Sequence, residues 1–137
     1  MKNNKNKSYI DTYETIYPVY IVVANRHTTL EQLKKLYKYS DGVELDEEVM
    51  QNMCITCTCT RKSDNRPVIL IKYNRDSAIK GTNKSIDLVN TCAHEATHAV
   101  LDIYSYIGDN VDSKEQEHTA YFIGYVAGCM YETLTKK

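Results

Sequence analysis

Hydrophobic positions in the first half of the chain repeat with the period of β-strands. The segment Tyr17 to Ala24 is rich in β-branched and aromatic residues, and Pro18 is tolerated because it stands near the start of the strand. Met53 to Thr60 alternates between two sets of side chains, which is typical of a half-buried strand. Pro67 to Tyr73 follows after the turn residues Asp64 to Arg66, so the sequence predicts a hairpin with a loose loop.

Helical periodicity occupies one short segment and the whole C-terminal half. A capping box at Thr28 to Glu31 predicts a short helix that continues until the turn residues Ser40 to Gly42. A long helix is predicted over Ser85 to Gly108, with the serine as N-cap and the glycine as stop. A second long helix is expected to begin at Asp112 or Ser113 and to continue to the end of the chain.

The order of the predicted elements decides the fold class. A strand, a short helix, two strands and two long helices follow one another without internal repeats or linkers. This order predicts an α+β fold, with a small antiparallel or mixed sheet packed on two long C-terminal helices. Residues 1–12 are polar and lack any apolar period, so we expect a flexible N-terminus followed by one domain over residues 13–137.

Composition and charge exclude several classes of partner. The chain has 137 residues with 17 basic and 18 acidic side chains, a net charge of -1, and therefore lacks the positive excess that binds nucleic acid or anionic membranes. The apolar stretches are far shorter than the roughly 20 residues of a spanning helix. Acidic residues interrupt the position where the core of a signal peptide would follow the basic start. We therefore expect a cytoplasmic protein with no nucleic-acid or membrane partner.

Two further features of the composition bear on the origin of the protein. The five cysteines are an odd number in a chain without a secretion signal, which favours free thiols in a reducing compartment. Asn, Lys, Ile and Tyr are abundant, and these amino acids have AT-rich codons. The gene is therefore expected to come from a low-GC bacterium or from one of its phages.

The strongest chemical signal is the sequence His94-Glu95-Ala96-Thr97-His98 in the first long helix. At about 100° per residue, His94 and His98 lie about 40° apart around the helix, so both imidazoles reach one point beside it. Glu95 lies near the same point, and the apolar positions of the helix occupy a different arc. Two neutral nitrogen ligands beside a free carboxylate are what a zinc hydrolase needs.

A catalytic zinc site needs a third protein ligand as well as one open position. Glu117 follows His98 after eighteen intervening residues, and it shares a face of the second long helix with Tyr121. His118 is rotated about 100° further round and remains the competing ligand. Tyr121 is placed to donate its hydroxyl to an oxyanion or to a ligand, with packing at the edge of the helix as an equal alternative.

This HExxH motif, with a Glu after eighteen further residues, resembles the gluzincins, notably the aminopeptidase-type and thermolysin-like branches. The resemblance covers the two long helices and, more loosely, the preceding strands. It implies His94, His98 and Glu117 as ligands of Zn2+ and Glu95 as the general base. The match has gaps, because Gln116 stands where thermolysin-like enzymes have Asn and no room remains for their large C-terminal domain. The chain resembles small phage or bacterial zincins most.

The resemblance implies a zinc-dependent peptidase that hydrolyses an amide bond of a peptide or protein substrate, with Glu95 as the base. In zincins the substrate pairs as an extra strand with the sheet edge above the active helix, and Val68 to Tyr73 is the expected edge. The alternative function is that of a non-catalytic zincin-like binding or virion-associated module, in which zinc only joins two helices. Glu95 argues against it, because a structural site has no use for a base. A third interpretation is a regulatory protease that cleaves one partner protein.

Two further groups of residues have competing interpretations. Asp102, one turn after His98, is expected either to orient that imidazole or to be a solvated carboxylate on the helix surface. Cys54, Cys57 and Cys59 form a CxxCxC sequence that is compatible with metal binding. Their segment alternates like a strand, however, and the remaining cysteines are in predicted helices, so a packing role is favoured.

Overall fold

A five-stranded mixed sheet forms the centre of the protein, in a computed structural model that describes residues 6–76 and 84–137. Its strands are β1 (Ile10–Tyr13), β2 (Tyr20–Ala24), β3 (Tyr37–Tyr39), β4 (Cys54–Arg61) and β5 (Pro67–Tyr73). They lie in the order β1-β2-β5-β4-β3. β2 and β5 are parallel, and every other neighbouring pair is antiparallel.

Helices cover both faces of the sheet. They are α1 (Leu30–Leu36), α2 (Lys84–Ile107) and α3 (Glu117–Leu134), and a short 3-10 turn spans Glu47–Met50. One apolar layer lies between the sheet and the pair α2 and α3, and a second lies between the sheet and the side of α1 and the 3-10 turn. The predicted α+β class with two long C-terminal helices is therefore confirmed.

The predicted hairpin of β4 and β5 is also confirmed. Its register runs from Cys54 opposite Tyr73 to Thr60 opposite Pro67. β5 is flanked by β2 on its other side, so it is a central strand and the expectation that Val68 to Tyr73 forms a free edge is wrong. Its continuous apolar run reflects burial on both faces, as in the parallel strands of other folds.

The first three residues of β1 lie inside the segment, residues 1–12, that the sequence predicts to be a flexible terminus. It pairs with β2, and the chain before it is held as well, since the amide of Tyr9 donates to Asn25 Oδ1 at 3.1 Å. The hydroxyls of Ser8 and Thr28 are hydrogen-bonded at 2.8 Å. Residues 8–12 are thus held by hydrogen bonds, because the partner strand supplies order that the local composition does not show. The division into a terminus and one domain stays a prediction. Residues 1–5 lie outside the described residues.

α1 is shorter than predicted, and its cap lies one residue later. The capping box consists of Thr29 and Gln32 rather than Thr28 and Glu31. The hydroxyl of Thr28 is buried and hydrogen-bonded to the N-terminal segment instead. The helix ends at Leu36, and the next three residues form β3 because they pair with the end of β4.

The predicted end of α2 agrees with the structure, whereas the predicted start of α3 does not. α2 ends at the predicted stop, where Gly108 adopts a φ of 76° that favours glycine. α3 begins at Glu117, several residues later than expected. The carboxylate of Asp112 accepts from the amide of Lys114 at 2.9 Å, and this local turn takes the place of a helix cap.

Lys72 is fully buried and ties the two parallel strands together. Its Nζ donates to the carbonyl oxygens of Asn25 at 3.0 Å and Tyr73 at 2.7 Å, which lie at the carboxyl ends of β2 and β5. Burial disfavours the charged ammonium and lowers the pKa of Lys72 to about 8.

The pH dependence of unfolding tests this environment of Lys72. Because its folded pKa lies below that of an unfolded lysine, about 10.4, the folded state releases its proton first as the pH rises. Its contribution to stability therefore increases from about pH 8 to about pH 10. Relative to Lys72→Met, the wild type should gain on the order of 1 kcal/mol between about pH 7.5 and 9.5 in urea unfolding. The exposed Lys35→Met is the control, and a pH-independent difference for Lys72→Met would contradict the lowered pKa.

Candidate metal centre

The imidazoles of His94 and His98 converge at the exposed surface of α2. Their Nε2 atoms are 3.2 Å apart, and the ring planes are inclined at 70°. Two nitrogens bound at about 2.05 Å to a tetrahedral zinc ion lie about 3.3 Å apart. The pair therefore has the spacing of two ligands on one zinc ion, and the helix itself provides it through the four-residue separation.

Glu95 points from the same turn of α2 toward the sheet and is buried. Its Oε2 accepts a hydrogen bond from Thr56 Oγ1 at 2.5 Å, and its Oε1 lies 3.9 Å from Nε2 of His94. One carboxylate oxygen is thus held by β4, while the other faces the histidines. A water molecule beside the histidines would be within reach of this second oxygen, as general base catalysis requires.

A groove of about 780 Å³ between α2 and the first half of β4 contains all three motif residues. Two smaller volumes of about 510 and 550 Å³ continue along β4, and each of them meets the first at Asp102. The whole therefore forms one elongated depression that passes the histidines. The residues that line its first part include Asn52, Met53, Cys54, Ile55, Thr56, Arg75, Asp87, Asn90 and Thr91.

One wall of this groove is the open edge of β4. β3 pairs only with the last three residues of β4, and the amide of Ser40 then donates to the carbonyl of Thr58 at 3.2 Å. Alternate residues of a strand direct their backbone groups to the same side. The backbone groups of Thr58 and Lys62 form hydrogen bonds on the side of β3. The amide and carbonyl groups of Cys54 and Thr56 therefore point to the same side of β4, but β3 is too short to pair with them.

Asp102 lies at the middle of the groove, one turn after His98. Its side chain is half-buried, and burial raises the pKa of its carboxyl, while the nearby imidazole of His98 acts in the opposite direction. The two side chains are therefore neighbours, which is compatible with the expected role of Asp102 in orienting His98. That role stays a prediction.

The structure does not bring the predicted third ligands to the histidine pair. Glu117 is the exposed first residue of α3, and His118 bonds through Nε2 to the hydroxyl of Tyr17 at 2.8 Å and stacks on Tyr104. Tyr121 is 76% exposed on α3, away from the groove lining. Among the described residues, no three His, Cys, Asp or Glu side chains are grouped closely enough to hold a metal ion. Glu117 as a ligand and Tyr121 as a catalytic group stay predictions.

The three cysteines of the CxxCxC sequence are divided between the two faces of β4. Cys54 packs in the same apolar layer as Cys92 of α2, whereas Cys57 and Cys59 belong to the layer on the other face. The sulfur atoms of Cys57 and Cys59 are 3.6 Å apart, and all five cysteines are free thiols. The strand alternation expected for this segment is therefore confirmed.

Thr56 is the residue of this site that sequence reasoning missed. It is one of several threonines that alternate along β4, and nothing in its neighbourhood in the sequence distinguishes it. Its partner Glu95 is 39 positions away. The contact could have been identified only from the way in which α2 packs against β4.

A second large depression, of about 710 Å³, lies near the carboxyl ends of β2 and β5. It contains none of the motif residues and has a basic lining, to which Lys7, Arg26, His27 and Lys84 contribute. The motif and this basic depression are thus at different places in the molecule.

Comparison of the chain with protein-family models, with curated protein sequences and with solved structures gives no match. Within residues 6–76 and 84–137, no helix combines the length and the apolar character needed to cross a membrane. The functional interpretation therefore depends on the geometry of the motif.

Zinc binding is the direct test of the histidine pair. The purified protein should bind about one zinc ion per chain, and His98→Ala should weaken binding by at least about 100-fold, because it removes a primary ligand. His27→Ala, which changes a histidine outside the groove, should bind zinc like the wild type. The measurement is competition with a chelator, and wild-type affinity in His98→Ala would contradict the site.

The choice of third ligand has its own pair of variants. If Glu117 is the ligand, Glu117→Ala should weaken zinc binding by at least about 10 to 100-fold. A loss of this size is typical when a residue that only supports a metal ligand is changed, and loss of the ligand itself should cost at least as much. His118→Ala should leave zinc affinity unchanged, because its imidazole is engaged with Tyr17 and Tyr104. The opposite pattern would remove Glu117 from the site.

Proposed function

We propose that this protein is a zinc-dependent peptidase that hydrolyses an amide bond of a peptide or protein. The observation that carries the proposal is the 3.2 Å approach of the His94 and His98 nitrogens beside the Glu95 carboxylate. The packing of α2 does not require the two imidazoles to meet, since they are exposed and the buried face of the helix is formed by other residues, such as Ala96 and Val100. Two exposed imidazoles whose Nε2 atoms approach each other have the arrangement that a pair of ligands to one metal ion requires.

The residues of the site divide into metal-binding and proton-transferring groups. His94 and His98 would hold the zinc ion, and Glu117 remains the proposed third ligand because of its spacing in the sequence. When bound, zinc supplies a Lewis acid that polarises a carbonyl group and lowers the pKa of water. Glu95 accepts a proton from the attacking water and passes it to the leaving amine nitrogen, so that a C–O bond forms as the amide C–N bond breaks.

The substrate is proposed to lie in the groove as an extended chain. The backbone groups of Cys54 and Thr56 at the open edge of β4 can pair with the amides and carbonyls of a peptide, as in other cases of strand addition. Thr56 is bonded through its side chain to Glu95, so a peptide paired with its backbone would pass close to the proposed base. The edge of β4 thus replaces Val68 to Tyr73 as the proposed substrate strand.

The rival interpretation is a non-catalytic module in which zinc joins two helices. A structural zinc site is normally closed by four protein ligands and needs neither an open groove nor a base. The elongated groove and the oxygen of Glu95 that faces His94 therefore favour catalysis. We also propose that the peptidase acts in the cytoplasm, which is compatible with its five free thiols.

A comparison of the wild type with Glu95→Gln tests the function. The variant keeps an oxygen that can accept from Thr56, so zinc binding and folding should be unchanged, but its amide cannot take a proton from water. We expect kcat/KM on peptides from a library digest to fall by about 100-fold or more. Glu115→Gln, which changes an exposed carboxylate outside the groove lining, is the matched control.

Two results would overturn parts of the proposal. Cleavage by Glu95→Gln at the wild-type rate would show that Glu95 is not the base. A wild-type protein that binds zinc but cleaves no peptide of the library would support the non-catalytic module.

A further inference from the structure

Thr56 makes a hydrogen bond that links the sheet to the carboxylate of the proposed base. Its Oγ1 lies 2.5 Å from Oε2 of Glu95 and 3.5 Å from the backbone oxygen of the same residue. The threonine hydroxyl is the donor of this hydrogen bond, and the carboxylate oxygen accepts it. Glu95 is buried, which makes this short bond stronger than an equivalent bond at the surface.

We propose that Thr56 is a positioning residue, which holds the Glu95 carboxylate in the orientation that proton transfer requires. This inference rests on the proposed peptidase function and deepens it. A glutamate side chain has three rotatable torsions, and ordering it has an entropic cost. The bond to Thr56 fixes one oxygen and leaves Oε1 on the side of His94, at 3.9 Å from its Nε2.

The backbone around Thr56 makes this contact rigid. Thr56 is opposite Ile71 in the central β5, and its β-branched side chain has restricted freedom about χ1. The hydroxyl therefore has a defined position relative to α2 before any substrate binds. Catalytic groups need such support, because a displacement of about 1 Å can lower a rate by about 100-fold.

A purely structural role is the competing explanation, because a buried carboxylate also needs a hydrogen bond for stability. The two roles differ in what a change at Thr56 affects. Loss of a structural bond alone lowers stability and leaves the turnover of the folded enzyme intact. Loss of positioning lowers kcat while KM and zinc affinity remain close to their wild-type values.

Two substitutions separate the hydroxyl from the shape of the side chain. Thr56→Val is nearly isosteric and favours a strand, but it lacks the donor, whereas Thr56→Ser keeps the donor. We expect kcat to fall by about 10 to 100-fold in Thr56→Val, with KM changed by less than about threefold, and to recover most of its value in Thr56→Ser. Thr12→Val, an exposed strand threonine on β1 outside the groove, is the control.

A second measurement needs neither zinc nor activity. In the metal-free protein, Thr56→Val should lower the equilibrium constant for folding by about fivefold in the wild-type background and by less than about twofold in the E95A background. This difference reports the hydrogen bond directly. Zinc affinity, measured by chelator competition, should be the same in the wild type and Thr56→Val.

The outcomes distinguish this inference from the proposed function. Wild-type kcat in Thr56→Val, together with an inactive Glu95→Gln, would overturn the positioning role and leave the peptidase intact. An equal loss in Thr56→Val and Thr56→Ser would overturn it too, because the hydroxyl would not be the cause. Absence of coupling between the two residues in the metal-free protein would show that the bond does not exist in solution. A zinc-loaded wild type that cleaves no peptide would overturn both proposals, even if the coupling were present.

Discussion

The close packing of α2 on the sheet determines where the three motif residues His94, Glu95 and His98 lie. Ala96 and Ala99 are fully buried on the inner face of the helix, and their small side chains allow the helix to approach the strands. Glu95, at the border of this face, is thereby brought against Thr56. The histidines one residue before and three residues after Glu95 are then at the outer border, where they face the groove rather than the core.

The shape of the groove follows from the lengths of neighbouring strands. β4 has eight residues and β3 only three, so the first half of β4 keeps an open edge beside α2. Open edges usually attract other strands and are a risk of aggregation unless they are protected or used. Here the open segment is short and faces acidic and polar side chains of α2.

Lys72 and Glu95 are both buried polar groups, but they differ in the partners that they contact. Lys72 has no exposed surface and satisfies two strand-end carbonyls, with a pKa lowered to about 8 by burial. Glu95 is also buried, and one of its carboxylate oxygens accepts from Thr56 while the other lies 3.9 Å from Nε2 of His94. The two groups differ in their partners, because Lys72 donates to carbonyl oxygens at the ends of β2 and β5, whereas one oxygen of Glu95 faces His94 in the groove.

The sequence by itself determined the features that depend on local spacing. The separation of His94 and His98 by four residues requires their imidazoles to meet on one helix face, and Gly108 ends that helix because it tolerates a positive φ. The alternation along β4 likewise assigned its cysteines to opposite faces.

Only the tertiary structure decided the contacts between distant segments. These include the central position of β5, the pairing of β1, and the bond between Thr56 and Glu95. The later start of α3, which leaves Glu117 exposed, is a separate case, because it depends on a local turn that competes with a helix cap. Helical and strand periods repeat within a few residues and can be recognised in a sequence, but the partner of a strand or a carboxylate is selected by the packing of the whole chain.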